Sequence, residues 1–195
     1  MNVNILLFDD FETLDAFGPT QIFGKAPEYF YLNYLSAVGG IINSSQGVKV
    51  WTELLEPEKI RDILVIPGGR GAKKLLHLEE STLEAIKKSA EQADICMMVG
   101  NGSALLAQTG ALYHRRIVDY AYDTNWKRMF TAGIIRVPDI RWMADGKYYS
   151  CTNSLSSLDM ALSVVTDTVD LDVALQIAKE LGYEWDPDSE DGILM

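Results

Sequence analysis

Short apolar runs alternate along the chain with stretches of helical spacing, and glycine-rich turns separate them. Val3–Phe8 (VNILLF) is nearly all apolar, the pattern of a short strand buried on both faces. Asp62–Ile66 (DILVI) and Asp94–Val99 (DICMMV) repeat that pattern, and each stops at a glycine turn: Pro67-Gly68-Gly69 and Gly100-Asn101-Gly102. Phe30–Val38 and Val48–Glu53 predict two more strands, the second after the turn-rich segment Asn43–Gly47. Ile134–Val137, Ile140–Ala144 and Lys147–Thr152 are short strand-like pieces, and Asp145-Gly146 between the last two is a hairpin signal. Helical spacing is weak over Thr13–Phe23, where Gly18-Pro19 interrupts it. It is clear over Ser81–Gln92, which Ser81 and Glu84 would open as a capping box. Ser103–Ala111, Leu155–Thr166 and Val173–Leu181 complete the helices, with Ser156 a cap for the first turn around Asp159. The acidic tail Trp185–Met195 is expected to loop over the surface. Strands alternating with helices predict an α/β sandwich with a mostly parallel sheet. Such folds bind ligands outside the carboxyl ends of their strands. The places to search are therefore the ends of the first, DILVI, DICMMV and YYSCT strands.

Composition narrows the function classes. With 195 residues, 48% hydrophobic and 23% charged, the chain is expected to form one globular domain over 1–195. No apolar run approaches the roughly 18 residues of a membrane span, and the start, MNVNILLFDDFE, lacks the basic segment of a signal peptide. The net charge of −11 opposes nucleic acid as a partner, because His114-Arg115-Arg116 and Lys127-Arg128 make too thin a basic stripe. The two cysteines, Cys96 and Cys151, form neither a metal-ligand spacing nor a disulfide framework. A reducing, cytoplasmic setting and no metal or other cofactor are the expectations. His77 and His114, in polar surroundings, read as surface groups.

Three constellations could carry chemistry. Val99–Ser103 turns a buried strand into a helix through small residues. That is either the geometry of a nucleophile elbow or a plain strand–helix turn. Its tip is Gly100, which tolerates positive φ but has no side chain to react. Pro67-Gly68-Gly69 either points backbone N–H groups into the same cleft or is simply a tight strand exit. Asp15, alone on an apolar segment after the first strand, is either a general acid or base with a raised pKa or a carboxylate stabilised by a helix dipole. Cys96 reads as a packing residue inside its strand. Cys151, near the end of YYSCT, either presents a thiol to the cleft or is buried and inert.

Four motifs in order, ILLFDDFETLDAFGP, LVIPGG, VGNGSALLAQTGAL and SLSSLDMALSVV followed by ALQIAKELGYEWDP, resemble the ThiJ/PfpI superfamily, the class I glutamine amidotransferase-like fold. The resemblance spans nearly the whole chain. It is nearest to the branch that holds isonitrile hydratase and the sensor-like domains of some AraC-type regulators. It implies a flavodoxin-like three-layer α/β/α sandwich and a homodimer whose interface can be lined by residues near the elbow and the late strands. Trp51, Trp126, Trp142 and Trp185 are scattered, and an aromatic in those two regions can be interfacial. It also marks departures. The family's elbow cysteine is here Gly100, and the threonine that commonly follows it is Asn101. The His-Trp pair of the branch matches Val118-Asp119-Tyr120-Ala121, so Tyr120 replaces the histidine, subject to the register of Asp123–Trp126. Asp15 matches the acidic residue that faces the cysteine, and Gly69 the turn that supplies an N–H.

Three functions are consistent with this. A non-catalytic, re-purposed member would bind a small polar metabolite in a cup formed by Asp15, Gly69, Gly100, Asn101, Gly102, Tyr120 and Cys151. A cysteine-independent hydratase would use Asp15 as acid and base on a bound water. An interaction or scaffold protein would act through its homodimer surface. No helix-turn-helix segment follows within these residues, so a regulator role is expected only with a partner supplied in trans.

Overall fold

A computed structural model of the protein describes residues 1–75, 80–120, 133–189 and 192–194. Its centre is a nine-stranded sheet. In chain order the strands are β1 (Asn2–Leu6), β2 (Tyr31–Ser36), β3 (Gly40–Asn43), β4 (Lys49–Leu54), β5 (Ile63–Ile66), β6 (Ile95–Val99), β9 (Trp142–Asp145), β10 (Tyr148–Cys151) and β11 (Gly192–Leu194). Two further strands, β7 (Arg116–Val118) and β8 (Ile135–Val137), pair with each other and, among the described residues, with no other strand. The order across the large sheet is β11-β9-β10-β6-β5-β1-β2-β4-β3. All pairs are parallel except β9 with β10 and β3 with β4. The β9–β10 hairpin turns at Asp145-Gly146 as the sequence predicts.

Among the described residues the α-helices are α1 (Thr13–Gly24), α2 (Gly71–Leu75), α3 (Glu80–Gln92), α4 (Gly102–Gln108), α5 (Ser156–Thr168) and α6 (Leu171–Leu181). α1, α5 and α6 pack together, and α2, α3 and α4 form a second group. The result is the flavodoxin-like α/β/α sandwich. The apolar runs became central strands because β1, β5 and β6 are covered on both faces: Ile5, Leu64, Val65, Ile66, Met97 and Met98 are all fully buried. β1 lies between β2 and β5, so the chain leaves it in one direction and returns on the other side. That reversal opens a crevice at the strand ends. α1 and the Pro67-Gly68-Gly69 turn follow β1 and β5 and flank this crevice.

The structure departs from the sequence reading at four points. β3 is a strand that the sequence reading does not place, formed because its Ile42 packs into the core and its backbone pairs antiparallel with β4. The tail does not only loop: Gly192–Leu194 adds a parallel edge strand to β9. Ser81 lies inside α3 and cannot cap it. Ser156 opens α5 but does not cap it; the Asn153 side chain accepts from the N–H groups of Leu155 and Ser156 at 3.0 and 3.1 Å. α1 continues through Pro19, which is buried like Ile22 and Phe23. His77, Trp126 and Lys127-Arg128 fall outside the described residues. His114 is exposed, as expected. Among the described residues, no helix is long and apolar enough to cross a membrane and no cluster of His, Cys, Asp or Glu could hold a metal ion.

Candidate functional site

Three loops meet at the crevice because Phe11 holds them there. Phe11 is fully buried in the β1–α1 loop and makes bridges to Ser44 on one side and Gly69 on the other. The glycines of the β6–α4 turn bring the next loop in. A Cβ on Gly102 would lie 2.4 Å from the Ile66 carbonyl oxygen and 2.7 Å from that of Pro67. Only glycine lets α4 begin this close to the end of β5. Gly100, the tip of the turn, has φ of 52°, the left-handed value of an elbow. Its N–H donates to the Cys151 carbonyl at 3.0 Å, joining the ends of β6 and β10.

A cavity of about 560 Å³ opens over these turns, within the range of small-molecule sites. Glu12, Asp15, Gly69, Arg70, Lys73, Asn101, Asn153 and Ser154 line it. Asp15 is buried, and both carboxylate oxygens are held. Oδ1 accepts from the Ser154 hydroxyl at 2.5 Å and Oδ2 from the Gly68 N–H at 3.0 Å. Burial raises its pKa to about 6 against the pull of those two donors. The group therefore exchanges its proton near neutral pH while facing a cavity. Ser154→Ala removes a hydrogen bond to the charged form, so the Asp15 titration should move upward by about one unit. A carboxyl-carbon NMR titration of both proteins checks this.

The elbow is closed in a way the sequence does not suggest. The Asn101 side chain pairs with the Gly69 backbone at two points: Oδ1 accepts from the N–H at 2.8 Å and Nδ2 donates to the carbonyl at 3.1 Å. The Gly69 N–H, expected to point into the cleft, is thus already occupied. So is the Gly68 N–H, by Asp15. The Asn101 N–H makes no hydrogen bond among the described residues.

The remaining sequence candidates divide clearly. Gly69 and Asn101 line the cavity with Asp15; Gly100, Gly102, Tyr120 and Cys151 are not among its lining residues. Tyr120 is fully buried, its ring under the Arg136 guanidinium at 5.4 Å. The Cys151 thiol is fully buried, within 3.8 Å of the Met98 carbonyl and 3.6 Å of that of Asn153. Burial holds its pKa well above the ordinary thiol value. Cys96 is likewise buried and pushed up to about 12. Asp159 pairs with Arg141 at 2.7 Å and accepts from the Tyr183 hydroxyl, away from the cavity. Sequence reasoning missed Glu12, Arg70, Lys73, Asn153 and Ser154. Ser154 is 139 residues from Asp15 in the chain, and no local pattern links them.

Comparison with known proteins bears on the family and the fold. The chain is 28% identical to the isonitrile hydratase of Pseudomonas putida over 197 residues, covering 98% of this chain and 82% of that one. Among solved structures, a ThiJ/PfpI family protein from Pseudomonas syringae superposes with a TM-score of 0.81 at 18% identity, covering 97% of this chain and 77% of that one. An AraC family transcriptional regulator from Pseudomonas putida gives 0.76 at 15%, covering 92% and 98%. The DJ-1beta of Drosophila melanogaster gives 0.79 at 14%, covering 94% and 98%. These likenesses show the fold. The family model for DJ-1/PfpI matches residues 1–167, and the chain belongs to that family.

Proposed function

We propose that this chain is a re-purposed member of its family, which binds a small polar metabolite in the cavity over the elbow without a covalent step. One observation carries the reading: no thiol lines the cavity. The elbow tip is Gly100, and both cysteines are fully buried with raised pKa values. A thiol nucleophile needs its thiolate, and neither site supplies one. The occupied N–H groups of Gly68 and Gly69 support the same reading, since a transition-state oxyanion would have to displace Asp15 or Asn101 from them. Asp15, Ser154 and the Asn101 N–H remain as polar groups for a ligand.

A second reading rests on Asp15. A buried carboxyl group with a pKa of about 6, open to a cavity, suits acid–base work on a bound water. The likeness to an isonitrile hydratase gives that water a reaction to join, hydration of an isonitrile to the N-substituted formamide. Turnover assays separate the two readings. The first expects no formamide from wild type. The second expects formamide from wild type and none from Asp15→Asn.

Self-association is part of the proposal. Ile41 and Trp51, paired across β3 and β4, are 59% and 71% exposed, and nearby Val38 is 79% exposed. Apolar side chains grouped at a sheet edge suit a second copy of the chain.

A further inference from the structure

We infer that the ligand of this cavity carries an oxyanion group of the carboxylate or phosphate kind, and that Arg70 is the side chain that recognises it. The inference rests on the metabolite-binding reading above and names the class of metabolite. The argument starts from charge. The chain carries 28 acidic against 17 basic residues, so a basic side chain seldom lacks a carboxylate nearby. Arg70 lines the cavity beside Gly69, yet among the described residues it makes no ion pair and no hydrogen bond.

Asp10, Glu12 and Asp15 are each held by other groups. Asp10 feels the Arg70 charge, but its Oδ2 is paired with Lys74 at 2.5 Å. Glu12, on the cavity wall, accepts from the Gln46 amide at 2.7 Å. Asp15 is bound by Ser154 and Gly68. What is left is a guanidinium, always charged, with a planar fork of donors that matches a carboxylate or phosphate at two points. Lys73 lines the same wall and adds a second positive charge. Asp15, Asn153 and Ser154 line the same cavity and suit an uncharged polar group. The lining thus offers two unlike kinds of contact. The oxyanion is assigned to Arg70, and a hydrogen-bonding head to Asp15 and Ser154.

The test is a binding screen with matched pairs. Small carboxylic acids are paired with their primary amides, and small phosphate monoesters with their alcohols. Binding to wild type and to Arg70→Gln is measured by ligand-observed NMR at physiological salt. The inference expects the anionic member of a pair to bind wild type about tenfold more tightly than its neutral partner. It expects Arg70→Gln to abolish that preference while neutral binders are unaffected. Preference for the acids or for the phosphate esters identifies the source of the oxyanion, and either supports the inference. Neutral partners binding as well as the anions, or a preference that survives in Arg70→Gln, would overturn it and leave the metabolite-binding reading standing. Binding of no member of either series would overturn both.

Discussion

Gly102→Ala is expected to destabilise the protein by about 3 kcal/mol and to lower its unfolding midpoint by about 10 °C. The cause is contact with backbone, which cannot swing aside as a side chain can. The new methyl group would sit 2.4 Å from the Ile66 carbonyl oxygen and 2.7 Å from that of Pro67. To relieve this, the start of α4 must move off the end of β5. That motion would also pull Asn101 from Gly69, so the variant should lose the protection of the Gly69 amide from hydrogen exchange. Thermal unfolding followed by circular dichroism, with exchange measured on the same samples, reads both effects. A midpoint within about 2 °C of wild type would mean that the elbow and the β5 turn are not in contact.

Asp15→Asn should stabilise the protein at alkaline pH, by up to about 3 kcal/mol. The sign follows from the direction of the pKa. Folding raises it from the ordinary 3.8 to about 6. Below 3.8 the carboxyl group is protonated in both states and burdens neither. Between those values the folded protein holds a proton that the unfolded chain has released, so stability falls as pH rises. Above 6 the buried charge is present in full and its cost is complete. Asparagine keeps the shape, accepts from Gly68 and donates to Ser154, but has no charge to desolvate. Urea unfolding at pH 8 and pH 4 measures this. The variant should gain at pH 8 and match wild type at pH 4. A variant weakened at pH 8 would show that the carboxylate stabilises the fold. A gain at pH 8 would mean that the buried carboxylate costs the fold stability, as expected of a group kept for a site rather than for folding.

The fold is legible where a strand's own residues decide its fate. β1, β5 and β6 are buried on both faces, so their apolar runs mark them without reference to the rest of the chain. β3 and β11 exist because a neighbour is there to pair with. Gly40–Asn43 begins with a glycine, and Gly192–Leu194 is three residues long after an acidic segment. Neither shows a pattern of its own. The site divides in the same way. Asp15 stands out as a lone acid on an apolar segment, and Gly100 and Gly69 stand out as turn glycines. The Asn101 side chain looks like a simple neighbour of the elbow tip. Its pairing with the Gly69 backbone arises only when β5 and β6 lie side by side. The Ser154 contact needs the loop after β10 to return to α1, and the isolation of Arg70 depends on where Lys74 and Gln46 direct their own bonds.

The most direct test of the central claim is formamide production from a small isonitrile, under reducing conditions, by wild type and by Gly100→Cys. The account holds that the cavity is intact and the elbow lacks one reactive side chain. It predicts no product from wild type and measurable product from Gly100→Cys, more so when Asn101→Thr also frees the Gly69 N–H. Product from wild type at a rate that Gly100→Cys does not increase would contradict it, and the chemistry would then belong to Asp15.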